Sequence, residues 1–135
     1  MTAGYSGTPL ARKLGLKPGM TAWLPDMPAS VRDELHDAIG ELTEAPAPIQ
    51  GLDHAHLFVT ERGVLADRLA MLRQTIAPAG MIWVSWPKKA AKVPTDITED
   101  VIRTVALPME LVDVKVCAVD AIWSGLKLVI RRTAR

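Results

Sequence analysis

The chain has 135 residues, of which 49% are hydrophobic and 23% are charged, and its formal net charge is +1. This composition is typical of a globular protein with one hydrophobic core and excludes a disordered or fibrous chain. The nearly balanced charge argues against a protein that binds nucleic acid through bulk electrostatics.

Cysteine content and hydropathy indicate the compartment. Cys117 is the only cysteine, so the chain forms neither an intrachain disulfide nor a cysteine-based zinc cluster. No segment approaches ~18 consecutive apolar residues, and residues 1–9 lack the features of a signal peptide. We expect one cytoplasmic domain over residues 1–135 that is not attached to a membrane, with residues 1–8 as a flexible segment.

The N-terminal part predicts a short helix followed by a strand. Thr8-Pro9 supplies a cap and a proline at the first helical position, and Gly15 follows the last turn, which predicts a helix over residues 9–14. Residues 20–24 are apolar and end at Pro25, as expected for a first strand.

A longer helix is expected next. Ser30 with Asp33 three residues later resembles a capping box, and apolar residues at helical spacing predict a helix over residues 30–43. Residues 45–48 contain two prolines and should form an extended connector.

Two further strands alternate with two further helices. Residues 55–60 and the apolar run 81–87 (Met-Ile-Trp-Val-Ser-Trp-Pro) predict strands, the second buried on both faces. Leucine and isoleucine at helical spacing predict a helix over residues 61–77. Caps and acidic residues predict another helix over residues 98–107.

The C-terminal part predicts a hairpin, because the strands at 112–119 and 125–131 are joined by only five residues, too few for a parallel crossover. We therefore predict an α/β fold with a mostly parallel five-stranded sheet and an antiparallel C-terminal hairpin, flanked by helices. The expected spatial order is first, second, third, fifth and fourth strand.

This succession of elements resembles the later portion of a Rossmann-like class I methyltransferase sheet. Residues 14–20, Leu-Gly-Leu-Lys-Pro-Gly-Met, are similar to the entry into the first strand of many such enzymes. Those enzymes continue with a glycine-rich loop that lets the backbone approach S-adenosylmethionine. Residues 24–28, Leu-Pro-Asp-Met-Pro, contain no glycine. The resemblance therefore implies the fold without the cofactor contact, and we expect no bound cofactor.

A second resemblance covers nearly the whole chain and rests on four sets of motifs. They are Gly4-Tyr5-Ser6-Gly7-Thr8-Pro9-Leu10; Trp86-Pro87-Lys88-Lys89; Pro94-Thr95-Asp96 with Thr98-Glu99-Asp100; and Val112-Asp113-Val114-Lys115-Val116-Cys117-Ala118-Val119-Asp120 with Trp123-Ser124-Gly125-Leu126-Lys127. Together they resemble a bacterial family catalogued as domain of unknown function 3052. The resemblance implies a fold and no particular activity.

The candidate ligand site lies beyond the carboxyl ends of the predicted parallel strands, where open parallel sheets bind ligands. Two lysines on a loop that leads to a helix N-terminus can hold a phosphate or carboxylate, or they can be solvated loop charges. The candidate ligand-binding residues are Ser85, Trp86, Lys88, Lys89, Thr95, Asp96 and Thr98. The hydroxyls of Tyr5-Ser6-Gly7-Thr8 either reach this site as a lid or belong to a cap and a fraying tail.

Other polar residues have simpler interpretations. Asp113, Lys115 and Cys117 alternate on one strand, and cross-strand charge pairing with residues such as Lys127 explains them without a function. Cys117 has no neighbouring histidine to act as a base, which favours a structural thiol.

The histidines and tryptophans give weak signals for a ligand site. His54 and His56 share a face if their strand begins at His54, but two ligands do not make a metal site, so we expect no metal. His36 is expected on a polar helix face. The four tryptophans are expected in or beside the core, with Trp86 and Trp123 partly exposed.

Two functional hypotheses follow. The first is a non-catalytic methyltransferase-like domain that binds a small anionic ligand or a protein partner at the edge with Trp86, Lys88 and Lys89. The alternative is a small enzyme in which a carboxylate base, Asp26, Glu61 or Asp96, acts while Lys88 orients an anionic substrate.

We also expect a homodimer. If the chain moves steadily across the sheet, right-handed crossovers put all three crossover helices on one face. The opposite face would then be only about half covered, and a partner subunit is the simplest cover for an apolar patch larger than a few hundred Å².

Overall fold

The computed structural model describes residues 8–135, in which helices lie on both faces of a six-stranded sheet. The helices are α1 (Leu10–Lys13), α2 (Ala29–Glu34), α3 (His36–Gly40), α4 (Arg62–Thr75) and α5 (Glu99–Ala106). The strands are β1 (Thr21–Trp23), β2 (Thr43–Ala45), β3 (Leu52–Phe58), β4 (Ile76–Pro87), β5 (Leu111–Ala118) and β6 (Trp123–Ile130). The predicted segment Tyr5-Ser6-Gly7 lies outside the described residues.

The sheet has the order β2-β1-β3-β4-β6-β5. The pairings among β2, β1, β3 and β4 are parallel, whereas β6 is antiparallel to both of its neighbours. The predicted α/β class, the antiparallel hairpin and the order of the five predicted strands are therefore confirmed. The predicted number of strands is wrong, because β2 adds a sixth strand at the edge.

Strand β2 forms where the sequence predicted the end of a helix and a connector. Thr43–Ala45 pairs in parallel with β1, and the Thr43 N–H donates a hydrogen bond to the Met20 carbonyl oxygen. Arg32 of α2 binds both carboxylate oxygens of Glu44 at 2.9 and 2.7 Å. The strand is thus held by partners distant in sequence rather than by an apolar pattern of its own.

The helix predicted over residues 30–43 is two shorter helices, because the backbone leaves helical geometry at Leu35, whose φ and ψ are −92° and 5°. The predicted capping box is wrong: Pro28 occupies the N-cap position, and no side chain caps α2. Pro9 likewise stands at the N-cap of α1, in place of the predicted cap at Thr8.

From β1 the chain moves outward to β2 at the edge of the sheet, and it then returns to β3 on the other side of β1. Because of this change in direction, the helices cover both faces of the sheet. Leu65, Leu69 and Leu72 of α4 pack in one core cluster with the α5 residues Ile102 and Val105. The expectation that all crossover helices share one face is therefore wrong.

The opposite face carries the second core cluster. Val31 of α2 packs there together with Leu35, the C-cap residue of that helix. They join Leu10 of α1 in covering Phe58 and Trp83 of the sheet. The Trp83 indole N–H donates a hydrogen bond to the Leu14 carbonyl oxygen at 2.9 Å, which ties the end of α1 to this face.

Strand β4 begins at Ile76, earlier than the predicted residue 81, and its pairing with β3 is interrupted between Leu52 and His54. Gly80 lies in this irregular part. A Cβ there would stand 2.8 Å from Ile76 Cγ1 and 2.9 Å from the Leu52 carbonyl oxygen, so the close approach requires glycine.

A register shift between Asp113 and Lys115 interrupts the pairing of β5 with β6. The Asp113 carboxylate accepts a hydrogen bond from Arg103 Nε at 2.9 Å, while Lys115 stands directly opposite Lys127. The predicted cross-strand charge pairing is therefore wrong at this point of the hairpin, since the two facing residues carry the same charge.

No helix within residues 8–135 is long and apolar enough to span a bilayer.

Candidate functional site

The switch point of the sheet lies between β1 and β3, because the chain leaves β1 toward one edge and β3 toward the other. Open α/β sheets bind ligands in the crevice beyond the carboxyl ends of such strands. Here β1 is followed by Pro25, Asp26, Met27 and Pro28. Asp26 adopts a left-handed conformation with φ of 57°, which is sparsely populated except by glycine and a few polar residues.

A side chain from α4 occupies this position. Arg68 Nη2 lies 3.0 Å from the Asp26 carboxylate, and the guanidinium carbon stands 5.4 Å from the centroid of a Trp23 ring. Arg68 Nη1 is buried and has no hydrogen-bond partner among the described residues. We call Trp23, Asp26 and Arg68 the switch-point cluster.

The loop before α5 is anchored to the end of β3 by residues that the sequence suggested as ligand-binding. Thr95 Oγ1 donates a hydrogen bond to the Thr60 carbonyl oxygen at 2.7 Å, and the Asp96 N–H donates to the same oxygen at 3.3 Å. The Asp96 carboxylate accepts from the Arg62 N–H at 2.7 Å. Asp96 therefore caps the N-terminus of α4.

The N-terminus of α5 is also capped by its own residues. Thr98 Oγ1 accepts a hydrogen bond from the Val101 N–H at 3.2 Å. The first turn carries two acidic residues, Glu99 and Asp100, both of which pair with Arg103. Since cap and charge are already supplied, an external anion gains little at this helix N-terminus.

Lys88 and Lys89 lie at the carboxyl edge beside exposed apolar side chains. The Lys88 N–H donates a hydrogen bond to the Ile122 carbonyl oxygen at 2.7 Å, which joins the end of β4 to the hairpin turn. Ile122 is 44% exposed, and Trp86 is half-buried against the core. We call Trp86, Lys88, Lys89 and Ile122 the edge surface. Neither lysine forms an ion pair within residues 8–135.

Ser85 does not reach this surface, because it is fully buried and its hydroxyl lies 2.7 Å from His56 Nε2. His54 and His56 are also fully buried, on the α1–α2 face, and the His56 ring stacks on Phe58 with centroids 4.4 Å apart. Both ring nitrogens of His54, and Nδ1 of His56, have no hydrogen-bond partner among the described residues.

Burial lowers the pKa of His54 to about 3, with a smaller contribution from the charge of Lys127. Burial also lowers the pKa of His56 well below its usual range. Both imidazoles are therefore neutral at physiological pH. Residues 8–135 contain no group of three or more metal-binding side chains, so the two histidines have no third ligand there. The sequence located the pair but did not indicate that it is buried.

Three other sequence interpretations can be located. Burial raises the pKa of the Cys117 thiol, which does not favour the nucleophilic thiolate. His36 is exposed, as expected. Trp23 and Trp83 are buried while Trp86 and Trp123 are partly exposed, which confirms the expected placement of the tryptophans.

A cavity of about 480 Å³ lies at the opposite edge of the sheet, at the C-terminal end of α4. Its walls include Arg73 and Glu110, whose side chains pair with each other at 3.1 Å. Because Arg73 and Glu110 pair with each other, this cavity offers no unpaired charge comparable with the two lysines of the edge surface.

A family model described as "Protein of unknown function (DUF3052)" matches residues 11–132. No curated protein matches the sequence.

Solved structures with a similar fold include several methyltransferases. A SAM-dependent methyltransferase from Aquifex aeolicus has a TM-score of 0.62 and 13% identity, and the alignment covers 90% of this chain and 87% of that one. A ribosomal protein L11 methylase from Lactobacillus delbrueckii subsp. bulgaricus has a TM-score of 0.56 and 9% identity, covering 90% and 75%. Fibrillarin from Aeropyrum pernix, in complex with natively bound S-adenosyl-L-methionine, has a TM-score of 0.55 and 12% identity, covering 89% and 73%. These likenesses show a methyltransferase-like fold.

Proposed function

We propose that this chain, which belongs to the family described as "Protein of unknown function (DUF3052)", is a non-catalytic methyltransferase-like domain. In this proposal it binds a protein partner through the edge surface and acts in the cytoplasm. The observation that carries the proposal is the switch-point cluster, in which Arg68 fills the place beside β1 that open α/β sheets use for ligands.

The loop after β1 supports the absence of cofactor binding. Two of its four residues, Pro25 and Pro28, have no backbone N–H to offer a ligand. None of the four is glycine, so side chains limit how closely the backbone approaches a bound molecule. A cofactor at this position would also have to displace Arg68 from Trp23 and Asp26.

The edge surface has the composition of a protein-binding site rather than of a small-ligand site. Trp86 and Ile122 provide apolar area, and Lys88 and Lys89 provide positive charge beside it, which matches the apolar centre and polar rim of interfaces. The helix N-termini that a small anion would use are already capped by Asp96 and Thr98. A partner with an apolar anchor and acidic side chains fits best, and a second copy of the chain is one candidate.

The alternative of a small enzyme is less well supported. Of the candidate bases, Asp26 is paired with Arg68, and Asp96 accepts the Arg62 N–H. Glu61 is exposed to solvent. A free carboxylate held in a water-excluding site, as general base catalysis requires, is therefore not formed by these residues.

Thermal unfolding with S-adenosylmethionine tests the first half of the proposal. A ligand present at about 100 times its Kd stabilises a protein by about 2.7 kcal/mol, so even weak binding is detectable at millimolar concentration. We expect no change in Tm. A saturable rise in Tm of the unchanged protein would refute the proposal.

Site-specific photo-crosslinking in cells tests the second half. A photoreactive residue at position 122 should give a discrete protein adduct, whereas one at position 49 should not, although Ile122 and Ile49 are similarly exposed at 44% and 46%. The double substitution Lys88→Glu and Lys89→Glu should remove the adduct at position 122. Equal labelling at both positions, or no adduct at position 122, would contradict binding at the edge surface.

A further inference from the structure

A second positively charged surface lies on the sheet face that α1 covers. Lys127 of β6 points to this face, since Leu126 and Leu128 on either side of it are in the core of the opposite face. Lys115 of β5 stands directly opposite Lys127, and its Nζ donates a hydrogen bond of 3.4 Å to the carbonyl oxygen of Lys13. We call Lys13, Lys115 and Lys127 the lysine cluster.

Acidic side chains do not neutralise these three lysines. None of them forms an ion pair within residues 8–135. Asp113 is the acidic residue nearest to Lys115 in the sequence, but a register shift lies between them in β5. The Asp113 carboxylate accepts a hydrogen bond from Arg103 of α5 instead. Like charges directly opposite each other on neighbouring strands destabilise a sheet, so the pairing of Lys115 with Lys127 is unfavourable in the free protein.

The charge of the lysine cluster also acts on the groups beside it. Burial and, next, the charge of Lys127 lower the pKa of His54. Burial raises the pKa of Cys117, and the charges of Lys13 and Lys115 oppose that change. The positive charge of Lys127 therefore reaches His54 on this face, and the charges of Lys13 and Lys115 both reach Cys117.

We propose that the lysine cluster binds the phosphate group of a soluble phosphate ester. Side chains directly opposite on antiparallel strands have Cβ atoms about 4.5–5.5 Å apart, so two ammonium groups can contact oxygens of one tetrahedral anion. A phosphate monoester carries a charge of about −1.5 to −2 near neutral pH and accepts several hydrogen bonds. Lysine binds phosphate as a point charge with rotatable donors, which suits an anion that relieves the repulsion between facing side chains.

This site is separate from the edge surface. It lies on the α1 face of the β5–β6 hairpin, whereas the edge surface is formed by the end of β4 and the hairpin turn. Failure of either proposal therefore leaves the other intact.

Thermal unfolding of the full chain in pyrophosphate, compared with sodium chloride at equal ionic strength, tests the site. We expect a saturable rise in Tm of several degrees in pyrophosphate beyond the effect of chloride. Lys115→Gln and Lys127→Gln should each weaken the apparent affinity at least tenfold, while Lys88→Gln, on the edge surface, should not change it. Without ligand, Lys127→Gln should unfold at the same or a higher temperature than the unchanged protein, because it removes the repulsion.

Three results would overturn the proposal. They are an equal rise in chloride, an unchanged affinity in the Lys115 and Lys127 variants, and binding to phosphatidic acid vesicles without binding to pyrophosphate. Amide NMR shifts of the unchanged protein during a pyrophosphate titration provide a readout that does not depend on variants. Saturable shifts must centre on residues 13, 115 and 127, and shifts centred elsewhere would locate the anion at another site.

Discussion

Replacing His54 by leucine is expected to reduce the loss of stability of this protein in acid. His54 is fully buried, and neither ring nitrogen has a hydrogen-bond partner among the described residues. The groups around it add no compensating negative charge: His56 is a neutral imidazole whose ring centroid lies 6.4 Å away, Met81 is its partner on β4, and Lys127 repels a proton. Protonation of His54 in the folded state is therefore strongly unfavourable.

The magnitude follows from the two pKa values of this side chain. Burial and Lys127 lower its pKa from 6.5 to about 3 on folding. Above pH 6.5 His54 is neutral in both the folded and the unfolded state, so it does not affect stability. As the pH drops from 6.5 toward 3, the unfolded state binds a proton at His54 that the folded state does not, and the free energy of unfolding falls. Each unit costs roughly 1.4 kcal/mol, so the loss is about 2 kcal/mol at about pH 5. That is a large part of a typical net stability of about 5–15 kcal/mol.

Urea unfolding at about pH 7.5 and about pH 5 measures the effect. The loss of unfolding free energy on acidification should be smaller by about 2 kcal/mol in His54→Leu than in the unchanged protein. At about pH 7.5 the variant should be as stable or more stable, because leucine leaves no buried polar atom without a partner. His36→Gln is the matched control, since that side chain is 86% exposed. An identical pH dependence in His54→Leu and the unchanged protein would refute the reasoning.

Three further substitutions test contacts that hold the fold. Arg68→Ala should lower the free energy of unfolding, measured by urea unfolding, by about 1–2 kcal/mol, because it removes both the cation–π contact with Trp23 and the ion pair with Asp26. An unchanged free energy of unfolding would show that the switch-point cluster contributes nothing to stability. Trp83→Phe should lower the free energy of unfolding by about 1–2 kcal/mol and increase hydrogen exchange in α1, because the Trp83 indole N–H donates a hydrogen bond to the Leu14 carbonyl oxygen. Unchanged hydrogen exchange in α1 would contradict this. Gly80→Ala should lower the free energy of unfolding by about 1–3 kcal/mol, because its Cβ would stand under 3 Å from Ile76 and from the Leu52 backbone. The control is Gly63→Ala, which has open space around it. This substitution should leave the free energy of unfolding unchanged or raise it by up to about 1 kcal/mol. Equal effects of the two glycine substitutions would contradict the close approach at Gly80.

The sequence predicted those elements whose signal is local. The apolar run at 81–87 and the short link in the C-terminal hairpin are local patterns, and they sufficed for the order of five strands. Thr43–Ala45 has only three residues and no apolar alternation, so its strand depends on β1 and on the pair between Arg32 and Glu44. The bulge at Asp113 depends in the same way on Arg103, which lies on another element. Long-range partners of this kind have no signature within a sequence window.

In the candidate site, too, local features could be predicted from the sequence and long-range contacts could not. The missing glycines after β1 were visible in the sequence, whereas the filling of the switch point by Arg68 was not, because Arg68 is 42 residues from Asp26 along the chain (68 − 26). Thr95 and Asp96 were predicted at the correct edge, but their residue types did not reveal that they serve as anchors for Thr60 and Arg62. Polar residues at loop ends are equally suited to capping and to ligand binding until their partners are known.

The homodimer stays a prediction, but its physical basis changes. It followed from a sheet face left uncovered, and β2 removes that premise by sending α2 and α3 to the face opposite α4 and α5. Trp83 and Phe58, which that face would leave exposed without a cover, are 0% and 7% exposed in the single chain. A dimer would now have to form through a smaller surface such as the edge surface, and sedimentation equilibrium at micromolar concentration distinguishes the cases. A dimer mass that falls to the 14.7 kDa of one chain on substitution of Ile122→Asp, but not Ile49→Asp, would support association there. A mass of one chain throughout would exclude the homodimer and leave a different protein as the partner.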